Sequence, residues 1–398
     1  MKFAAESRWL AAAAKLALRG HGGAEPNPMV GCILVGADGA MVSWGYHARC
    51  GQAHAEAMAI ARAGSRSKDC TAFVTLEPCA HHGRTPPCAE ALIRAGVTRV
   101  VYAVSDPNPE ASGGATVLRN SGIAVDHVPC DACEAVSMPF VHRVRESRPW
   151  VIAKWAQTLD GRTATRSGDS KWISGPRSRA MVHRERARVD AIMVGIGTVF
   201  ADDPHLLPRR MTCRRIPRRV IIDPSLATPI DAQVVRTAPQ GPVEIACSVE
   251  AIASLTTHAR DGWERAGIRL TPLAPPRVDA VHGSMRGLVG GTLAHLMRDL
   301  GARGVSTILV EGGAGLLGAL FDEDLVDDAW CFVAPLAAAD AAGVPVATGL
   351  GRILMGDSLR FRLMDTRRRG LDAMLWWRRQ RGSGTGGASG ARAPARSS

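Results

Sequence analysis

A chain of 398 residues is long enough for two ordinary domains with substantial cores. It has no apolar run near the ~20 residues that span a bilayer, and the stretch from Met1 to Glu6 has an early acid and no secretory h-region or cleavage site, so no membrane partner and a cytoplasmic location are expected. Net charge is +12, but ten arginines against only Asp365 and Asp372 lie from Arg360 onward, so the excess is gathered at one end and assigns no nucleic-acid partner to the body.

In chain order, residues 7–19 have Trp9, Leu10, Ala13, Leu16 and Ala17 at helical spacing, and Gly20, Gly22 and Gly23 stop that helix. Pro26-Asn27-Pro28 is a rigid turn presenting Asn27. Val30 to Val35 and Met41 to Gly45 read as a hairpin joined at Ala37-Asp38-Gly39. A helix begins at His54. Thr71 to Leu76 is a buried strand, Ala89 to Ala95 a helix, and Val100 to Val104 a strand ending in Asp106-Pro107-Asn108-Pro109. Such alternation builds an α/β layer with ligands at strand ends. Residues 134–148 connect to a boundary at Arg148-Pro149, and Trp150 to Trp155 opens a second domain. There follow a basic helix with Arg184, Arg186 and Arg188, strands at Asp190 to Gly195 and Arg218 to Asp223, a weakly patterned middle, and a strand from Thr307 to Val310 ending at Glu311.

The chemistry of the first half is carried by His54-Ala55-Glu56 and by Glu77-Pro78-Cys79 with a later Cys88. Ten cysteines in a reducing compartment point to thiols and metal ligands rather than disulfides. His54, Cys79 and Cys88 make a three-ligand zinc site whose fourth position is left for water, as a catalytic zinc requires; His81 and His82 are the alternative ligands. Glu56, two residues beyond a ligand, suits proton transfer from that water to a departing amine. Zinc nucleobase deaminases share this H-x-E and P-C arrangement, although here eight residues separate the cysteines. Cys130-x-x-Cys133 has no partner pair and reads as structural.

In the second half, Gly313-x-Gly315-x-x-Gly318 follows a strand and opens a helix, which sets backbone N–H groups against phosphate. It lies late in the domain, and no strand-end acid follows ~20 residues on, so it is not a classical dinucleotide fold.

Pro26-Asn27-Pro28-x-Val30-Gly31, Gly45-Tyr46-His47, His54-Ala55-Glu56, the string from Thr75 to Cys88 and Asp106-Pro107-Asn108-Pro109 together resemble the bifunctional riboflavin-biosynthesis deaminase/reductase family. In the second half K-x-x-x-x-L-D-G-R, S-x-W-I, V-G-x-x-T-V-x-x-D-D-P and V-E-G-G match the same family. The resemblance implies an α/β protein with an N-terminal cytidine-deaminase-like α/β/α domain and a C-terminal dihydrofolate-reductase-like domain. It implies zinc (Zn2+) and NADPH as cofactors, a small phosphorylated pyrimidine as substrate, and a homo-oligomer, dimer or tetramer. Asn27, His47, Arg84, Asp106 and Asn108 would hold the pyrimidine and ribose phosphate. Ala156, Trp172, Thr198, Asp202, Ser225 and the run Gly313, Ala314, Gly315, Leu316, Leu317, Gly318 and Ala319 would face NADPH. Ser170, Arg186, Leu206, Arg209 and Glu311 would face substrate, with Lys154, Asp202 and Glu311 nearest ribose C1′. The family pattern is broken at Met29, at 111–115, at Leu207 and at Leu336-Ala337-Ala338.

The expected domains are a deaminase over 1–147, a reductase over 148–380 and a disordered basic tail over 381–398. Two other readings stay open: a tRNA-type nucleic-acid base deaminase with an accessory domain, and a protein active in its deaminase half alone.

Overall fold

The computed structural model describes residues 2–81, 86–209, 213–273, 292–349, 351 and 354–381. The N-terminal strands are β1 (Gly31–Val35), β2 (Met41–Tyr46), β3 (Thr71–Leu76), β4 (Arg99–Val104) and β5 (Ala124–His127). The helices are α1 (Lys2–Ala17), α2 (Ala55–Ala63), α3 (Cys88–Arg94), α4 (Gly114–Asn120) and α5 (Asp131–Glu146). The sheet runs β2-β1-β3-β4-β5, with β1 antiparallel to β2 and β3, and β3, β4 and β5 parallel. Side chains alternate across a strand, so Ile33, Val35, Phe73 and Val101 meet Leu10, Ala13 and Val136 of α1 and α5. Cys32, Leu34, Val74 and Val100 meet Ala55, Ala59 and Leu92 of α2 and α3. Both faces are covered, which is why these strands read as nearly unbroken apolar runs.

The second sheet is built from β6 (Trp150–Gln157), β8 (Ala191–Gly195), β9 (Arg218–Ile222), β10 (Val243–Ser248), β11 (Ile268–Leu273), β12 (Thr307–Val310), β13 (Asp328–Val333), β15 (Phe361–Arg369) and β16 (Asp372–Arg379); β7 (Arg162–Ala164) and β14 (Val344–Pro345) form a separate ribbon. Its order is β11-β10-β9-β8-β12-β6-β13-β16-β15. Seven strands are parallel and the β15–β16 hairpin closes one edge antiparallel. Its helices are α6 (Pro176–Arg186), α7 (Ile196–Asp202), α8 (Gln233–Arg236), α9 (Val249–Ala253), α10 (Thr257–Arg265), α11 (Thr292–Ala302) and α12 (Ala314–Asp322). This is the two-domain α/β architecture that the motifs imply. No helix among the described residues is long and apolar enough to cross a membrane.

Three parts depart from the sequence reading. The weakly patterned middle contains β10 and β11 and two short helices whose starts are set by Ser248 and Thr256, each accepting a hydrogen bond from the backbone N–H three residues on. α4 and β5 add a further helix and a parallel edge strand to the first sheet. The basic C-terminal end is largely structural: Arg378 pairs with Asp328 (2.9 Å), Arg379 with Asp324 (2.7 Å) and Arg381 with Asp327 (2.5 Å). Residues 382–398 of the expected tail lie outside the described residues.

Asp327, with no solvent exposure, is the joint between the domains. Arg148 grips it with both guanidinium nitrogens (2.8 and 2.9 Å), the Val151 N–H donates to it (2.8 Å), and His142 of α5 stands 3.7 Å away. Burial works to raise this carboxyl, and the Arg148 bonds and nearby positive charge override it, so its pKa lies below the usual range. Removing one partner of a buried pair leaves the other charge uncompensated, typically at about 3–5 kcal/mol. Asp327→Asn should therefore lower unfolding free energy by roughly that amount in urea titration at neutral pH. A depressed carboxyl contributes its stability above the ordinary carboxylate range and loses it as pH falls through its folded value, so the gap between wild type and variant should close on acidification.

Candidate active sites

His54 is the residue before α2, in extended backbone (φ −71°, ψ 168°), and Glu56 is in the first turn, 3 % exposed. Gly45 lets β2 run against the start of α2: a Cβ there would lie 2.1 Å from the Ala55 carbonyl oxygen. The strand thereby delivers His47, whose ring meets that of His54 edge-on at 5.1 Å between centroids. His47 Nδ1 donates to the Ala53 carbonyl (3.2 Å), which leaves Nε2 as the acceptor from the Asn27 amide at 3.5 Å. Burial lowers the His47 pKa, favouring that neutral form.

Cys79 follows β3 and Cys88 opens α3. His54 Nδ1 is 3.2 Å from Cys88 Sγ and 3.6 Å from Cys79 Sγ, and the three ligand atoms all lie within 4.8 Å of one another. Zinc bonds of tetrahedral geometry set N···S separations of roughly 3.6 Å, so the donor set fits that ion. Without a metal the two thiols share one proton, which zinc would have to displace from Cys88 to bind both as thiolates. The Cys79 thiol is lowered to about 4 by its hydrogen bond from Cys88, then by His54 and by the Cys88 backbone N–H (3.4 Å), while Cys88 is raised as the partner that keeps the proton. Burial, then the charge on Cys79, raises the Glu56 carboxyl above its usual range, as a proton-transferring acid requires.

Glu77 is the functional side chain that motif reading did not single out. Its Oε1 accepts from the backbone N–H groups of Gly113 (3.2 Å) and Ala115 (3.1 Å), and its Oε2 from that of Asp106 (3.4 Å). This pins the 106–115 loop over the thiols, with Ala111 packed against Cys79 and Cys88. Gly114 belongs to the same closure, since a Cβ there would stand 1.8 Å from the Pro78 carbonyl oxygen. The signal was the acid directly before Pro78-Cys79. Within the loop Asp106 and Asn108 accept from the N–H groups of Asn108 (2.9 Å) and Glu110 (3.2 Å). Arg84 lies outside the described residues.

The second site is a cavity of about 1010 Å³ at the carboxyl ends of β6, β8 and β12. Lys154, Ala156, Ser170, Trp172, Arg186, Thr198, Asp202, Leu206, Glu311 and residues 313–317 all line it. Four expected residues do not. Gly318 packs beneath the loop, where a Cβ would be 2.5 Å from the Thr348 backbone, and Ala319 belongs to the core. Ser225 stands beside the lining residue Pro224 with its hydroxyl 3.5 Å from Asp223, and Arg209 is exposed off the lining. Arg186, expected at a phosphate, instead spends its fork on Glu311 (2.5 and 2.9 Å). Burial opposes ionisation of Glu311, and the Arg186 charge outweighs it and lowers the pKa; burial lowers that of Lys154, against the pull of Glu311 and Asp202. At the opening of α12, a Cβ on Gly315 would meet nothing within 4 Å and one on Gly313 only Thr198 Oγ1 at 4.0 Å. The first N–H groups of a helix lack intrahelical acceptors, and open backbone of this kind can accept a phosphate. Asp160 of L-D-G-R accepts from Ala338 (3.0 Å) and Ala339 (2.7 Å), so the altered 336–338 segment is held through backbone contacts that its side chains do not affect.

Two family models match the chain. Residues 4–104 match the cytidine and deoxycytidylate deaminase zinc-binding region, and residues 149–375 match the RibD C-terminal domain. The riboflavin biosynthesis protein RibD of Aquifex aeolicus is 34 % identical over 376 residues, covering 94 % of this chain and 98 % of the relative. That of Escherichia coli is 38 % identical over 375 residues, covering 92 % and 97 %. A Thermotoga maritima structure described as a diaminohydroxyphosphoribosylaminopyrimidine deaminase/5-amino-6-(5-phosphoribosylamino)uracil reductase superposes with a TM-score of 0.80 at 29 % identity, covering 96 % and 100 %. Fold and sites thus define a deaminase of the zinc-binding type joined to a reductase of the NADPH-using type. The chain belongs to the RibD family of riboflavin-biosynthesis deaminase/reductases.

Glu77→Gln would set amide hydrogens against the Asp106 N–H and loosen the 106–115 loop. The variant should keep its metal but show a deamination KM raised about tenfold, ~1.4 kcal/mol, in steady-state assays.

Proposed function

We propose that this chain hydrolyses the exocyclic amine of 2,5-diamino-6-(5-phosphoribosylamino)pyrimidin-4(3H)-one at the His54–Cys79–Cys88 centre and then reduces the ribosyl group of the product to ribityl in the second cavity. The observation that carries the reading is the convergence of three donors at zinc spacing beside a buried acid, in one chain with a glycine-floored cavity containing Lys154 and Glu311. Zinc, when bound, supplies the Lewis acidity that makes water nucleophilic near neutral pH. Glu56 takes the proton from the attacking water and hands it to the leaving amine nitrogen, so that ammonia departs and the ring carbon gains oxygen. Asn27 and His47, already hydrogen-bonded to each other, and Asp106 orient the ring.

In the second cavity the α12 turn holds the pyrophosphate of NADPH, which when bound supplies two electrons. Lys154, lowered by burial, delivers the proton that the sugar ring oxygen needs as its bond to C1′ opens. Arg186 fixes Glu311 so that its carboxylate faces the sugar hydroxyls. The two activities divide between residues 1–147 and 148–380, and the protein acts in the cytoplasm as a homo-oligomer.

Three variants test the assignment on purified protein. Cys88→Ala should lose zinc and deamination yet still reduce deaminated substrate with NADPH; full zinc content would remove Cys88 from the ligand set. Glu56→Gln should retain zinc, measured by atomic absorption, and deaminate ~10²-fold more slowly. Near-normal turnover would overturn the proton-transfer role. Gly313→Val has open space for its Cβ and an ordinary φ of −74°, so the domain should melt normally. Its side chain enters the phosphate cradle, so the NADPH dissociation constant should rise tenfold or more, ~1.4 kcal/mol, with deamination unchanged. Unaltered NADPH affinity in the folded variant would refute the loop assignment.

A further inference from the structure

The two domains enclose a further cavity, of about 550 Å³, which shares only Asn27 with the residues assigned to either reaction. One wall is the Asn27-Pro28-Met29 turn with part of α5, and the other comes from α6, β6, β13 and the β15–β16 hairpin. Its lining is aromatic and cationic. Trp150, Trp330 and Trp376 contribute indole surface, and Arg378 lies over the Trp150 and Trp376 rings at 4.9 and 5.4 Å.

The charges do not cancel within the wall. Lining acids have cations of their own: Asp328 has Arg378 (2.9 Å), Glu25 (3.9 Å) and Asp190 share Arg215, and Glu185 has Arg188 (4.0 Å). Lining Arg184 and Arg369 have no carboxylate partner among the described residues, and Arg369 Nε is buried without any hydrogen-bond partner. Trp330, only 8 % exposed, likewise buries an indole N–H with no partner among the described residues. Buried donors without acceptors call for a bound group. Water satisfies an N–H but leaves a guanidinium without counter-charge, whereas an anion meets both needs.

We propose that this interdomain cavity is a ligand site for a planar aromatic molecule bearing an anionic group, of nucleoside-monophosphate size, with its ring on the indole wall and its anion toward Arg369 and Arg184. The volume lies within the roughly 300–1,000 Å³ of small-molecule sites. Indole and guanidinium surfaces stack on ring faces without demanding one base.

The test uses the full-length zinc-loaded protein saturated with NADPH, titrated by calorimetry with each of the four ribonucleoside 5′-monophosphates and with inorganic phosphate. At least one nucleotide should bind with a dissociation constant below about 1 mM, and phosphate alone at least tenfold more weakly. Arg369→Gln should weaken the nucleotide about tenfold, Arg369→Lys should restore part of it, and NADPH affinity should stay unchanged in both. Arg184→Gln, at an exposed helix position, gives the same comparison should the hairpin variant fail to fold. Absence of binding by all four nucleotides, or binding indifferent to both Gln substitutions, would overturn the site. Phosphate binding as tight as the nucleotides would overturn its aromatic half.

Discussion

A single carboxylate without solvent exposure organises the junction of this protein. Asp327 takes two bonds from Arg148, one from the backbone of the first reductase strand and one from Arg381 near the described C-terminus, with His142 of the connecting helix beside it. Three separate stretches of chain therefore converge on two oxygen atoms. A buried charge tolerates no loose geometry, because each unmet bond is charged at the low-dielectric rate. The Asp327 backbone N–H also bonds the Val151 carbonyl (3.0 Å), directly before the first β13–β6 register pair, Asp328 with Ile152.

The same economy appears at the deaminase centre, where each ligand is delivered by a different kind of chain ending. His54 precedes a helix, Cys79 leaves a strand, and Cys88 begins a helix. A helix start offers free N–H groups and positive potential, which suits thiolates as well as it suits a carboxylate. Glu77 then converts a flexible Pro-rich loop into a fixed wall by accepting three backbone N–H groups. The chemistry thus rests on backbone donors that no motif records.

Much of this was legible in the sequence, for identifiable reasons. Metal ligands must be particular residue types at chain positions that meet, so His54, Cys79 and Cys88 announce themselves. The glycines at 313 and 315 stand out because a turn open to phosphate excludes side chains, and the structure leaves that space open, but at Gly318 the absent Cβ makes room for Thr348 instead. Arg186 reads as a phosphate ligand because it is basic and near the site; only the fold shows that Glu311 stands opposite its fork. The C-terminal arginines read as solvated charge because their partners, Asp324, Asp327 and Asp328, lie some fifty residues earlier and pair through sheet register. Local pattern records chemistry that a residue carries, not the neighbour that neutralises it.

The loop that follows the Leu206 region also reaches across the molecule. Arg215 stands between Asp190 of its own domain and Glu25 of the other, while Arg214 bonds the carbonyl of Arg19. Glu25 is two residues from Asn27, which faces His47. A few covalent bonds and one guanidinium thus separate a residue beside the His54 centre from the loop that borders the second cavity. Seen as a piece of carpentry, this is a mortise: the peg is cut from one timber and the slot from the other. Sawing the protein at its linker would leave two boards with raw faces, so the halves are better regarded as one joined object than as two enzymes on a string.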